Sequence, residues 1–406
     1  MDKQIFTIIE FNRNIINFQV IKYFNNQEMI LYKNSYISEE SEILDKDQIK
    51  DSLNVYKFLT NCFTDFEKNS SFSKIKQIGL MLSNSLNITK KVTNYGLKSK
   101  NKKTSSTTNL EYIVKKINKL QLYDDTDLKI IDTNLIELQV NNKMIDYQNL
   151  KKYYIDNTQN NKLVMTFLEL SITNELYFAL EKLFWKFYKQ ILFIKPRIVC
   201  LNQLVKDQCQ DHKLVVDWNW DEIEVGVFNN NALLKIFKFS FGINKIIKNL
   251  SQSLNISFEM SKDYLFNNLD FSSYNINNLN VLSLWNNSEN KLDTTNGKQI
   301  KQLIKSIISE IYITINQSIL KEQNINNYQI YNFGLISKIV GIDMIFNELK
   351  NNHFISNNFI GDIDFEQDST AFIGASLFFK NPEFPSQNQK FSNFFKAFLI
   401  NSKKHY

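Results

Sequence analysis

A chain of 406 residues can bury a large core and is long enough for two or more lobes. Its 43% hydrophobic content is that of a globular protein, and a net charge of +6 with both signs interspersed marks no nucleic-acid groove, so no nucleic-acid partner is expected. Three cysteines without CxxC spacing and three scattered histidines argue against a disulfide framework, a zinc site or a His-centred catalytic apparatus.

The opening MDKQIFTIIEF carries no basic region ahead of an apolar one, and no apolar run reaches the ~18–20 residues of a membrane-spanning helix. A protein made in the cytoplasm is expected. Ile5 to Glu10 and Ile15 to Val20 read as strands joined by a turn at Phe11-Asn12-Arg13-Asn14, with a third strand near Met29 to Tyr32. Asp45-Lys46-Asp47 leads into a helix anchored by Leu53, Val55, Phe58 and Leu59. Ile75 to Leu82 is an apolar run of buried-strand type.

Lys98 to Thr108 is charged and polar without an apolar anchor, the composition of a mobile loop. Around it a separate unit is expected: a helix near Leu110 to Leu120, strands at Leu128 to Asp132 and Ile136 to Val140, and another at Leu163 to Leu170. Thr173 to Tyr188 is an amphipathic helix with Leu176, Leu180, Leu183, Phe184 and Phe187 on one face. A strand is read at Arg197 to Leu201.

Leu214 to Phe228, LVVDWNWDEIEVGVF, reads as a buried strand ending in Asp217, a tight turn, and a second strand of alternating Ile223, Val225 and Val227. A mixed region follows from Lys248 to Asn296. A long helix from Ile300 to about Leu320 repeats Leu303, Ile304, Ile307, Ile308, Ile311, Ile315 and Ile319 at helical spacing. Ile330 to Gly341 is a strand, a glycine turn and the approach to a helix near Ile342. Thr370 to Phe379 is a small-residue helix, and residues 381–389 around Pro382 and Pro385 read as a linker.

Residues 390–406, KFSNFFKAFLINSKKHY, form an amphipathic helix on a 100° wheel. Phe391, Phe394, Phe395, Phe398 and Leu399 fall on one face, Lys396 and Lys403 near its polar side, and Lys390 at its start, while Ile400 points away. That pattern suits insertion at the boundary of headgroups and acyl chains of an anionic membrane. A helix docked on its own domain has the same periodicity.

The halves echo each other. Each opens with strand–turn–strand and an acid at the first strand's tip, Glu10 and Asp217, although ordinary α/β alternation produces a similar echo. IIEFNRNII, LVVDWNWDEIEVGVF and IYNFGLISKIVG stand in the order and spacing of the phosphate-1, phosphate-2 and adenosine segments of the actin superfamily. Within it the chain most resembles the FtsA family, bacterial division proteins that tie FtsZ filaments to the membrane. The resemblance spans essentially the whole chain. It rests further on the inserted unit, on IIDTNLIELQVNNK as a strand pair, and on the linker and terminal helix.

The resemblance implies an actin-like two-lobe α/β fold of duplicated ribonuclease-H-like halves. The first lobe would hold 1–85 and 164–213, with an FtsA-type 1C subdomain at 86–163. The second would hold 214–247 and 305–380, with a 2B-like subdomain at 248–304. It implies ATP with Mg²⁺ held through waters by Glu10 and Asp217, contacts from Asn12, Asn219 and Gly334, and Arg13 as a substitute phosphate donor.

The departures are chemical. Glu10-Phe11-Asn12-Arg13 keeps only the acid of the first loop. Asp217 is followed by Trp218-Asn219-Trp220-Asp221 in place of glycines. Phe333-Gly334 keeps one glycine of a pair. Glycine there lets backbone N–H groups approach phosphate at φ > 0, whereas Trp220 fills space and Asp221 adds negative charge. A salt bridge from Arg13 to Glu10 or Asp221 is the plainer reading of that arginine.

The expected function is therefore a non-catalytic scaffold, at most a very weak ATPase. It would polymerise, bind FtsZ tails on the 2B-like region with Lys298 as a contact, and hold them at the inner membrane face through the terminal helix. The alternatives are a nucleotide-binding ATPase or kinase of the same fold and a structural actin-related subunit of a larger complex.

Overall fold

The computed structural model describes residues 4–380 except 13, 25–26, 39–41, 45–47, 70–73, 83–86, 98–106, 111–126, 146–151, 157–160, 206–211, 230–231, 273–279, 287–290, 324–328, 350–356 and 360–369. The polar loop, the helix after Leu110 and the whole amphipathic tail fall largely or wholly outside the described residues. Two compact units emerge. One comprises Met1–Asn84, Glu175–Lys195 and the described residues from Phe372; the other comprises Ser85–Asn174 and Pro196–Ala371.

The first unit begins with an antiparallel meander, β1 (Gln4–Phe11), β2 (Ile15–Phe24) and β3 (Gln27–Ile37). Alternation in β2 sends Ile16, Phe18 and Val20 to one face, where Phe18 meets Phe63 edge-on at 5.1 Å. Phe63 belongs to α1 (Ser52–Asn69), which buries Val55, Leu59, Cys62, Phe63 and Phe66 at helical spacing. Leu53, expected among its anchors, is instead 65% exposed, because the buried stripe begins at Val55. The following strand, β4 (Gln77–Leu82), lies parallel to β1.

An inserted β-rich segment comes next, with β5 (Asn87–Leu97), β6 (Thr107–Asn109), β7 (Leu128–Val140), β8 (Lys143–Met144), β9 (Tyr154–Asp156) and β10 (Asn161–Thr173). Four of these form a sheet in the order β5-β10-β7-β8, and β6 pairs with β9. One face buries Leu110, Leu135, Leu138, Ile145, Leu163, Met165 and Phe167. The two strands read at Leu128 and Ile136 are one strand: two register shifts against β10 absorb the polar DTN that looked like a break. The reversal comes after it, at Asn141-Asn142, whose φ values of 51° and 65° suit a tight hairpin.

α2 (Asn174–Trp185) buries Leu176, Leu180, Leu183 and Phe184. It leads to β11 (Gln190–Pro196), and the first sheet is ordered β11-β4-β1-β2-β3. The strand read at Arg197 to Leu201 is a helix, α3 (Arg197–Leu204). Residues 197–202 are all buried, so the helix shows no polar face and its apolar run mimics a strand. Pro196, at the N-cap with φ −64°, is the local reason the helix starts there.

The second sheet is built from β12 (His212–Trp218), β13 (Ile223–Asn229) and β14 (Ala232–Phe239). Past it come α4 (Ile243–Leu254), α5 (Phe258–Asp263) running into a π-turn at Tyr264–Asn268, and the hairpin β15 (Asn280–Asn286) and β16 (Lys291–Asn296). α6 (Gly297–Gln323) and β17 (Gln329–Gly334) are followed by a 3₁₀ turn at Leu335–Lys338, α7 (Ile342–Leu349), β18 (Asn357–Phe359) and α8 (Thr370–Ser376).

The second sheet runs β14-β13-β12-β17-β18. Its central pairing is parallel (β12 with β17) and its outer pairings are antiparallel through β13 and β14, as in the first sheet. The strand orders therefore match, and the echo read from the two acid-tipped hairpins is an architectural duplication. Ile246, Ile247 and Leu250 of α4 join Ile304, Ile307, Ile308, Ile311, Ile315 and Ile319 of α6 in the core beneath the second sheet.

Candidate functional site

Asp217 closes β12 and is 1% exposed. A carboxylate cannot stay charged in such a place without a partner. The partner is Arg197 on the first turn of α3, whose Nε donates to Asp217 Oδ2 at 2.7 Å. Asn219 Nδ2 adds a longer contact to the same oxygen at 3.4 Å.

Directly across the hairpin from Asp217 stands Glu224. It is also buried and pairs with Lys238 of β14 at 3.4 Å. Burial pushes the Glu224 carboxyl up to about 7; Lys238 opposes the rise and Asp217 adds to it. The four groups form a charge row, Arg197–Asp217–Glu224–Lys238, with both acids inside.

The turn after Asp217 is closed by its own backbone. Asn219 N–H donates to Glu222 O at 3.0 Å. The first amides of α4 then donate back to the turn: Ile243 N–H to Asn219 O at 3.1 Å and Asn244 N–H to Trp220 O at 2.9 Å. A helix N-terminus offers free N–H groups that suit an anion, and here those two are spent on the hairpin. Gly242 permits the approach, since a Cβ there would lie 2.3 Å from Asn219 O. Asn244 Nδ2 also donates to Asp221 Oδ1.

Trp218 is wholly buried. Its Nε1–H donates to Asn332 Oδ1 at 3.0 Å, and that oxygen also accepts from Tyr312 O–H. Its ring packs on Tyr312 and Phe346. Gly334 has φ +80°, and a side chain there would strike Trp218 O at 2.5 Å and Asp217 Oδ1 at 2.7 Å. The glycine kept from the adenosine segment thus lets β17 pass the end of β12.

Beside this turn an open pocket of about 330 Å³ is lined by Trp220, Glu259, Lys262, Phe266, Leu335 and Lys338, among others. Trp220 and Phe266 stack at 6.3 Å, and Lys262 Nζ sits 5.3 Å above the Trp220 ring. A pocket of this size with aromatic walls and two lysines is of the kind that takes a flat, polar ring.

The other expected residues are placed as follows. Glu10 ends β1, is 2% exposed, and accepts from Asn17 Nδ2 at 2.8 Å. The Asn12 N–H closes the turn on Ile15 O at 2.9 Å. Arg13 lies outside the described residues, as do Lys390, Phe391, Phe394, Phe395, Lys396, Phe398, Leu399 and Lys403. Lys298 is exposed on the first turn of α6. Glu10 belongs to the first compact unit; Asp217, Asn219 and Gly334 belong to the second and are brought together there.

Sequence reasoning passed over Arg197, Glu224 and Lys238. One signal was available: Arg197 is one of only two arginines in a chain that otherwise uses lysine. Arginine's fixed charge and planar fork suit a buried pair.

The phosphate end does not fit Mg²⁺-ATP. The acid meant for the ion is neutralised by Arg197, the helix amides are taken, and Asp221 adds charge to the turn. The neighbouring pocket does fit a base.

No protein-family model matches the chain, and no curated protein matches it. Solved structures do. In the PilM–PilN type IV pilus biogenesis complex the match has a TM-score of 0.50 at 10% identity and covers 93% of this chain and 99% of that one. MreB5 of Spiroplasma citri bound to ADP matches at 0.48 and 8%, covering 95% and 98%. The MamK double helical filament matches at 0.44 and 8%, covering 93% and 99%. Such identities speak for the fold alone: the chain is a mixed α/β protein whose neighbours have the actin-like fold.

Proposed function

We propose that the chain is a non-catalytic actin-fold scaffold that ties FtsZ filaments to the inner face of the membrane. The buried Arg197–Asp217 pair is the observation that carries the non-catalytic part. An acid already neutralised at 2.7 Å has little to offer a phosphate-bound cation.

The FtsZ-tethering part rests on the resemblance to the FtsA family, with its inserted segment and its phenylalanine-faced terminal helix. The filament in which MamK was solved supports self-association as a property of this fold type. Each subunit would then contribute one weak membrane helix, and many copies on a filament would bind firmly through effective concentration.

Co-sedimentation with anionic liposomes, with and without FtsZ, tests this reading. The full chain should carry FtsZ to the vesicles and a chain lacking Lys390–Tyr406 should not. Equal sedimentation of the two chains, or no transfer of FtsZ, would refute it.

A second reading, a nucleotide-binding protein of the same fold, is favoured by the Trp220–Phe266 pocket. It predicts stoichiometric ATP binding by calorimetry that is lost on Lys262→Glu. An absence of heat for ATP, ADP and adenosine alike would dispose of it.

A further inference from the structure

We propose that the aromatic–lysine face at the C-terminal end of α2, made of Phe178, Lys182, Trp185, Lys186 and Tyr188, is a contact for an anionic lipid surface on the folded body. It goes beyond the tail-borne contact proposed above and does not depend on it. Glu175, Phe178, Lys182 and Trp185 follow at spacings of three, four and three, so they form one stripe on the outer side of the helix. The opposite side carries the buried Leu176, Leu180, Leu183 and Phe184.

Phe178 is 61% exposed, Trp185 57% and Tyr188 89%. Single exposed apolar residues are ordinary, but three large rings at one helix end form a patch that marks a binding surface.

The backbone supports the same conclusion. Lys189 N–H donates to Phe184 O at 3.1 Å and Tyr188 N–H to Trp185 O at 2.9 Å, a Schellman closure that puts Tyr188 in the left-handed region at φ 56°. Glycine is the ordinary occupant there. A tyrosine held in that conformation with its ring in solvent costs stability and returns no packing. Nearby, Tyr56 of α1 stacks on Phe187 at 4.9 Å, and Lys186 Nζ lies 5.4 Å over the Tyr56 ring, which braces the patch from behind.

The charge decides the occupant. Lys182 and Lys186 are exposed among the rings. Of the helix's acids, Glu181 accepts from Tyr177 O–H, and Glu175 stands about 15 Å along the axis from Trp185. Tryptophan and tyrosine present an apolar body with a polar edge, the combination that settles at headgroup depth, and lysines beside them pair with lipid phosphates. A second copy fits less well, because a two-fold contact would set Lys182 and Lys186 against their own images.

The full chain tests this with phosphatidylcholine vesicles prepared with and without phosphatidylglycerol, read by flotation and by quenching of tryptophan emission with brominated acyl chains. Phe178→Ser/Trp185→Ser/Tyr188→Gly and Lys182→Glu/Lys186→Glu should each weaken binding to the anionic vesicles by about tenfold. Circular dichroism unchanged from the parent would show both variants folded. In a tail variant, Phe394→Asp/Phe395→Asp, quenching of Trp185 should persist at saturating vesicles and vanish on adding Trp185→Phe. Unchanged binding by both body variants, or quenching that ignores Trp185, would overturn the proposal. So would a change in sedimentation coefficient on losing the rings with vesicle binding intact, which would point to a second copy, or capture of an acidic helical peptide in place of lipid. Lipid binding that follows these residues while FtsZ is never recruited would leave this inference standing and remove the tether.

Discussion

The two hairpins that open the two sheets carry an acid at the same register position and differ in what stands opposite. In the first, Glu10 faces Asn17, which donates to it at 2.8 Å. In the second, Asp217 faces Glu224, an acid against an acid, and the fold supplies Arg197 from α3 and Lys238 from β14 to hold them. Like charges directly across a ladder destabilise it, so the second hairpin depends on groups outside itself. The duplication preserved the scaffold and let the two strand tips acquire different electrostatics.

The largest expected break in this comparison is at the acids. Asp217→Ala should cost about 3–5 kcal/mol, because it strands a buried guanidinium. Glu10→Ala should cost about 2 kcal/mol, for one hydrogen bond to a charged acceptor. Urea unfolding, followed by circular dichroism, measures both. Equal losses would mean that the Arg197 pair is not what distinguishes the second hairpin.

Glu224 gives the next effect, up to about 3 kcal/mol. Its folded value of about 7 lies above its usual 4.5. The stability it contributes is therefore fully present below 4.5 and lost as pH rises through about 7. Glu224→Gln should flatten the fall in stability across that window and leave the variant more stable than the parent at pH 8. A parallel pH profile for the two would contradict the burial of this carboxyl beside Asp217.

Arg197→Lys should cost about 1–2 kcal/mol, since an ammonium replaces an N–H fork aimed at Asp217. Charge is conserved in this variant, so the loss isolates geometry, again by urea midpoint.

The smallest difference between the units lies in their helix caps. α4 ends on Asn255 at φ 52° and α2 on Tyr188 at φ 56°. Asparagine tolerates that region better than tyrosine does, so Tyr188→Gly should raise the melting point, by at most about 1 kcal/mol, while Asn255→Gly should change little.

What the sequence disclosed followed from periodicity. The stripe of α6, the alternation in β13 and the strand–glycine–helix order around Gly334 were legible because one face of each element is buried and the other is not. α3 was misread because a helix buried on every side carries no period. β7 was split because DTN looks like a turn, and only pairing with β10 shows it as a bulged continuation.

At the site, Asp217 could be found from its position at the end of an apolar run. Its neutralisation could not, because Arg197 lies 20 residues upstream on an element assigned to the wrong class. The turn's tryptophans suggested that chemistry had been displaced. The structure gives them separate places, Trp218 in the core and Trp220 on the wall of a pocket.

Trp218 also has a consequence in time. Its indole N–H meets Asn332 across 114 residues of sequence, and its ring rests on Tyr312 and Phe346, later still in the chain. A ribosome adds those residues over on the order of ten seconds. Throughout that interval the Asp217–Arg197 pair can already close within its own 20-residue span, while the indole has nothing native to pack against. A nascent chain stalled before Tyr312 should therefore show an exposed tryptophan and attract holdase chaperones. One stalled well beyond Asn332 should not.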